Sequence, residues 1–264
     1  MYAFTFRHAG SVEEARQSFS KAAEARYLAG GQTLLPVLKQ RLASPSDLIS
    51  LARLSDLAGI RVDGKTIVIG AMTRHATVAA SSDIKRLIPA LAELAGGIGD
   101  PHVRNRGTMG GSLANNDPAA DYPAAVLGLG ATVVTDKRRI AADDYFQGLF
   151  TTALEDGEII TAVEFPVPQR AGYVKFPHPA SRYCMVGVMV SETTEGVRVA
   201  VTGAGEDGVF RATAFEDALG RTFEAAALEG VAVPADGMLS DIHAGAAYRA
   251  HLIGVLARRA VAKA

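Results

Sequence analysis

Short apolar runs alternate with helical periodicity through the first fifty residues. Ala3–Arg7 reads as a strand. Ser11 reads as the cap of a helix with Val12, Ala15 and Phe19 on one face and Glu13 and Glu14 in its first turn. A second strand, Ala25–Ala29, runs into Gly30-Gly31; Leu34–Leu42 follows as a short helix and Asp47–Ser50 as a third strand. Residues 82–95 predict a helix with Ile84, Leu87, Ile88, Leu91 and Leu94 on one side. Gly96–Asp121 carries too many Gly, Pro, Asn and Asp for regular structure, and an irregular stretch of that length is a functional candidate. Tyr122–Leu129 and Asp144–Phe150 read as helices. Ala131–Thr135 and Glu158–Val167 read as strands, the latter closed by Pro166 and Pro168. Beyond about residue 170 the pattern changes to β-like runs at Tyr173–Phe176, Cys184–Glu192 and Val197–Thr202. The last ~50 residues read as Ala-rich and helical, ending in Ala246–Lys263, so this third reads as a separate sheet-plus-helix unit.

Two phosphate-binding signatures are tested and set aside. Residues 59–66, GIRVDGKT, match the spacing of a phosphate loop, but that motif joins a strand to a helix. Here Asp63-Gly64 lies between IRV and TIVIG, which is a hairpin signal. The dinucleotide fingerprint GxGxxG is absent; Gly128-Leu-Gly130 is a fragment behind a helix-like run.

Composition narrows the class. The 264 residues hold 27 Lys+Arg against 28 Asp+Glu, and a net charge of -1 argues against a dedicated nucleic-acid binder. Lys137-Arg138-Arg139 and Arg258-Arg259 read as solvated faces. The only cysteine, Cys184, excludes an internal disulfide, a CxxC zinc site and a cysteine-ligated iron–sulfur cluster on this chain alone. Cys184 lies in an apolar run and reads as an inert buried thiol. The start MYAFTFRHAG has no apolar signal region. The longest uncharged apolar stretch, about Ala124–Val134, is short of the roughly 20 residues that span a bilayer, so a cytoplasmic protein without a transmembrane segment is expected.

Two glycine-rich turns carry the candidate chemistry: Ala29-Gly30-Gly31-Gln32-Thr33 after a strand, and Gly107-Thr108-Met109-Gly110-Gly111-Ser112 in the irregular segment. Consecutive glycines let successive N–H groups point into one concavity that holds an anion, and a helix starting at Leu34 adds to that field. Two such nests could grip the two phosphates of a dinucleotide, with the hydroxyls of Thr33, Thr108 and Ser112 beside them; tight turns without a ligand are the alternative. In Leu113–Asp121, Asp117-Pro118 suits an Asx-turn and helix cap, or a carboxylate accepting from ribose hydroxyls. The six histidines show no metal-ligand spacing. His102 lies nearest the second turn and reads as structural; no GxSxG elbow is present.

AGGQTLLPVLKQRLASPSDLISL and RNRGTMGGSLANNDPAADYPAAVL resemble the two signature stretches of the FAD-binding medium subunit of molybdenum hydroxylases. The pattern is nearest the medium chain of aerobic carbon monoxide dehydrogenase and more distant from xanthine dehydrogenase FAD subunits. The similarity continues through EIITAVEFPVP and YRAHLIGVLARRAV. It implies an α+β fold: two α/β FAD-binding subdomains at 1–55 and 56–168, then a C-terminal α+β flavoprotein domain at 169–264. It further implies that Ala29, Gly30, Gly31, Gln32, Thr33 and Leu34, with Thr108, Met109, Gly110, Gly111 and Ser112, form pyrophosphate loops. By the same resemblance Asp121 is an acidic cofactor contact with Asp117 beside it, Ile160 and Lys175 are further FAD contacts, and Tyr183 is set against the isoalloxazine.

Many relatives carry His where this chain has Gln32, so non-covalent FAD is expected. Arg182 and Phe176-Pro177-His178-Pro179 also depart from the family pattern, which points to an altered acceptor or flavin potential. The implied partners are an iron–sulfur small subunit and a molybdenum-cofactor large subunit, assembled as a dimer of heterotrimers. Electrons would pass through the FAD to an external acceptor, with no catalytic acid or base and no metal on this chain. The alternatives are a stand-alone FAD oxidase or reductase of similar fold, and a binding module without redox activity. Gly31→Val or Gly110→Val is expected to abolish FAD binding while the fold survives.

Overall fold

The computed structural model describes all 264 residues. Its first sheet is parallel and three-stranded, with Asp47–Ser50 between Thr5–His8 and Ala25–Leu28. Helix Val12–Lys21 makes the crossover. Ser11 Oγ accepts from the Glu14 amide, and Ala15 is buried against the sheet as the periodicity requires. The second glycine of Gly30-Gly31 has φ +74, a left-handed turn that aims the chain into the short helix Leu34–Lys39.

The second sheet is antiparallel throughout, in the order Ile60–Asp63, Thr66–Gly70, Ile160–Pro166, Thr132–Thr135, Arg139–Ala141. The β–α alternation therefore ends with the first sheet, and the fold class is α+β as expected. The hairpin expected at residues 59–66 is present. Asp63 pairs with Thr66, so the turn is Gly64-Lys65, with Gly64 at φ +58.

Four expectations change. The helix expected over 82–95 is two helices, Ser82–Leu87 and Pro89–Gly96, because Pro89 has no N–H to continue the first. Gly96–Asp121 is not irregular: it holds helices Pro101–Arg104 and Met109–Asn115, capped by the side chains of Asp100 and Thr108. Asp144–Phe150 is helical only as far as Tyr145, in Ala142–Tyr145. Phe146–Gly148 then pairs with Thr151–Thr152 as a small hairpin. The Ala-rich end is helical at Thr213–Arg221 and Ala246–Val261, separated by residues 222–245, where Pro234 and the left-handed glycines Gly230 and Gly237 break the helix.

The third sheet is an antiparallel meander of Arg170–Pro177, Cys184–Thr193, Gly196–Gly205 and Gly208–Arg211. Helices Thr213–Arg221 and Ala246–Val261 cover one face through Phe215, Leu219, Ile253 and Leu256. Its other face meets the middle unit: Tyr173, Met189 and Ala200 are buried in the same core as Tyr122, Val126 and Leu91. Burial of this kind removes apolar surface from water at about 25 cal/mol per Å² and holds the sheets in fixed relation. No helix is long and apolar enough to cross a membrane.

Candidate functional site

A cleft of about 1020 Å³ runs between the first sheet, the helical insert of the second and the edge of the third. It is as large as the largest ordinary small-molecule sites, which reach about 1,000 Å³. Ala29, Gly30, Gly31, Gln32, Thr33 and Leu34 form one wall. Thr108, Gly110, Gly111 and Ser112 form another, and Asp117, Asp121, Ile160 and Tyr183 also line it. Two expected residues stand apart. The Met109 side chain is fully buried in the middle core, and Lys175 lies behind the wall, bonded to Asp121.

The two glycine turns differ in their free donors. The amides of Gly30, Gly31, Gln32 and Thr33 lie outside any helix or strand and donate to no protein acceptor; Leu34 at the helix start is also free. The second turn has spent all its amides but that of Thr108. Met109 donates to Thr73, Gly110 to Ala71, Gly111 to the Thr108 hydroxyl and Ser112 to the Thr108 carbonyl. The anion nest is therefore at the first turn, and the second offers hydroxyl and side-chain surface.

Several glycines serve the protein rather than a ligand. A Cβ on Gly30 would collide with the Arg106 carbonyl and Gly107, where the two turns touch, and one on Gly110 would lie 2.6 Å from Ala71 Cβ. Gly31 combines positive φ with Leu35 Cδ1 2.9 Å from its would-be Cβ. The expectation that Gly31→Val or Gly110→Val spares the fold is thus corrected: both positions are packed against the chain itself.

The two aspartates also divide. Asp121 is buried, and Tyr173 donates to its Oδ1 at 2.6 Å while Lys175 Nζ lies 3.0 Å from the same oxygen and 3.1 Å from Oδ2. Burial raises its pKa against the pull of Lys175 and Tyr173. Asp117 Oδ1 accepts only the Ala119 amide at 2.9 Å, so its second oxygen is available to hydroxyls in the cleft.

Lys175 also donates to the carbonyls of Gly97 (2.8 Å) and Arg182 (3.3 Å). Arg182 sits at φ +62, and the next residue, Tyr183, stands 58% exposed at the cleft. Its phenol is raised by partial burial and by the charge of Asp117. The His178 imidazole closes the loop before it by accepting from the Ala180 and Ser181 amides at 3.3 and 3.2 Å. Cys184 is buried with its thiol pushed up by burial and by Asp121, which agrees with an inert role.

His75 was not distinguishable in the sequence from the other scattered histidines. It lines the cleft, whereas His102 is exposed and is not among the lining residues. Its ring lies over Gly107 and its amide donates to the Gly107 carbonyl at 3.1 Å. Burial, helped by Arg104, lowers its pKa to about 4, so it is neutral. Its Nδ1 and the neighbouring Tyr122 hydroxyl have no protein partner. Free amides and an available carboxylate oxygen together suit a ligand with phosphates and hydroxyls.

A family model described as the FAD binding domain in molybdopterin dehydrogenase matches residues 2–168. The chain is 34% identical to the carbon monoxide dehydrogenase medium chain of Afipia carboxidovorans, over 99% of this chain and 96% of that one. It is 35% identical to the nicotine 6-hydroxylase medium subunit of Paenarthrobacter nicotinovorans, over 99% and 97%. Among solved structures, CO dehydrogenase from Oligotropha carboxidovorans matches with TM-score 0.89 and 32% identity, over 99% and 97% of the chains. Quinoline 2-oxidoreductase from Pseudomonas putida 86 matches with TM-score 0.88 and 30% identity, over 99% and 96%.

Proposed function

The chain belongs to the FAD-binding medium subunits of molybdenum hydroxylases, an oxidoreductase flavoprotein family with FAD as its cofactor, and on that premise we propose that it holds FAD non-covalently in the cleft and relays electrons to an external acceptor. The electrons come from an iron–sulfur small subunit, fed by a large subunit that carries the molybdenum cofactor, and two such three-subunit units pair. This fits a chain whose one cysteine is buried and can ligate no cluster. FAD, when bound, supplies the redox chemistry, and the protein supplies binding, orientation and tuning.

The observation that carries this reading is the run of free N–H groups at Gly30, Gly31, Gln32 and Thr33 on the cleft wall. They bind the pyrophosphate without a lysine, because aligned amides provide the partial charge. The open oxygen of Asp117 accepts a sugar or ribityl hydroxyl, and Tyr183 flanks the isoalloxazine. Met109 and Lys175 act from behind the wall, Met109 by packing and Lys175 by holding the Arg182 carbonyl and the Asp121 carboxylate. Gln32 offers an amide that forms no bond to a flavin carbon. The Pro177–Pro179 loop leads into Ala180–Tyr183 on the cleft wall and tunes the exchange with the acceptor. The three sheets occupy successive parts of the chain, and the boundaries 1–55, 56–168 and 169–264 follow their order.

The test is an absorption spectrum of the purified chain, followed by acid release of the chromophore. The expected result is flavin absorption, released whole as FAD, with Asp117→Asn weakening uptake several-fold. A protein that stays colourless and takes up no added FAD, even co-expressed with its two partner subunits, overturns the reading.

A further inference from the structure

Phe150 is 61% exposed, lines the cleft, and has φ +54, a backbone conformation that bulky residues rarely adopt. Its amide donates to the Asn116 carbonyl at 3.1 Å. Asn116 is itself buried and left-handed at φ +43, and its side-chain amide donates to the carbonyls of Gly148 and Thr151, both at 2.8 Å. One buried residue thus brackets the whole turn between the paired strands Phe146–Gly148 and Thr151–Thr152. Strain of this kind persists only where the surroundings over-determine it, and here it delivers an apolar ring to open space rather than to the core.

The residue after Asn116 is Asp117, whose charge acts on the Tyr183 phenol. Segment 116–117 therefore connects two exposed aromatics on the same cleft. Tyr183 is presented in a parallel way: Arg182 before it is left-handed, and Lys175 grips the Arg182 carbonyl at 3.3 Å. Phe150 is itself left-handed and bracketed by buried Asn116, while Tyr183 follows a left-handed residue held by Lys175. The occupant that fits two such rings is flat, aromatic and larger than either, and its exposed faces are apolar.

We propose that Phe150 is a second aromatic contact for the isoalloxazine ring, opposite or beside Tyr183, and that Asn116 is the residue that positions it. This rests on the FAD reading above and goes beyond it by assigning Phe150 and Asn116. Asn116 acts only through Phe150 and touches no cofactor atom.

The chain contains no tryptophan, so Phe150→Trp installs a unique indole. Indole in contact with an excited flavin quenches it by electron transfer, which needs near contact. The experiment is the fluorescence lifetime of bound FAD in the full chain, in a Tyr183→Phe background that removes the neighbouring phenol. Phe150→Trp is expected to shorten that lifetime several-fold. Phe6→Trp, on strand Thr5–His8 away from the cleft, is expected to leave it unchanged. Asn116→Gly keeps the left-handed backbone, removes the side-chain bracket, and is expected to restore part of the lifetime in the Phe150→Trp protein. Phe150→Ala is expected to weaken FAD binding several-fold with the melting temperature of the FAD-free chain unchanged. Should Phe150→Trp not fold, Phe150→Tyr gives the same readout through its phenol. Bound FAD with the same lifetime in the Phe150 and Phe6 variants overturns this proposal alone. Failure of the unmodified chain to take up FAD removes the cofactor reading first, and this proposal with it.

Discussion

Glycine and aspartate pairs that look equivalent along the chain have different neighbours in space. Gly110 sits where a methyl group would meet Ala71, so Gly110→Ala is expected to cost roughly 1–3 kcal/mol by overpacking. Gly220 is exposed near the end of helix Thr213–Arg221, and a Cβ there meets nothing, so Gly220→Ala is expected to add about 0.5–1 kcal/mol. Urea denaturation of the two variants checks both signs. The aspartates separate in the same way. Asp121→Asn leaves Lys175 without its buried partner and is expected to cost roughly 3–5 kcal/mol in that denaturation assay, whereas Asp117→Asn leaves the midpoint close to unchanged. The glycine turns and the aspartates were visible as motifs in the sequence. Which of them faces protein and which faces the cleft was not, because Ala71, Arg106, Tyr173 and Lys175 arrive from elsewhere in the chain.

Elements were legible where periodicity was long and obscured where caps and breaks decided the outcome. Helix Val12–Lys21 followed its apolar face and its Ser11 cap. Pro89 split the next helical stretch, and glycines in Met109–Asn115 hid a helix that Thr108 caps. The closing helix shows what periodicity cannot report. Arg249 is buried in Ala246–Val261, and its Nη1 donates to the carbonyls of Met185 (2.7 Å) and Gly203 (2.8 Å) while Nη2 bonds Asp241 at 2.7 Å. Gly203 is left-handed and lies within an irregular pairing between Val201 and Gly205, where the ladder lacks regular partners. The arginine fork fills that gap and ties the helix to two strands. Arg249→Met is expected to cost roughly 3–5 kcal/mol, because two carbonyls and a carboxylate lose their donor. Thermal melting of the variant should fall sharply with the far-ultraviolet spectrum near native below the transition.

At the scale of the whole molecule, two buried ionisable groups set how stability depends on pH. His75 is lowered from 6.5 to about 4 by burial and Arg104, so the unfolded chain takes a proton that the native state refuses. Stability is full above pH 6.5 and falls between 6.5 and 4, by roughly 3 kcal/mol at about 1.36 kcal/mol per pKa unit. For Glu158, burial opposes ionisation but is outweighed by Arg138, the Glu155 amide and the Thr135 hydroxyl, which hold it at about 2 against 4.5. Its contribution is present above pH 4.5 and is lost as the pH falls toward 2. Urea midpoints across this range check the order, and His75→Phe should flatten only the upper part. The sequence by itself determined the two glycine turns and the absence of a cysteine cluster, because composition and local spacing carry those, and the family with its α+β class, because two long stretches resemble the family's signatures. Only the tertiary structure decided that one turn keeps its amides free and the other spends most of them, that His75 rather than His102 meets the cleft, and that Phe150 and Tyr183 share it. These follow from which distant residues supply acceptors, bulk and charge at each position, and contacts between sheets are not encoded in any local window.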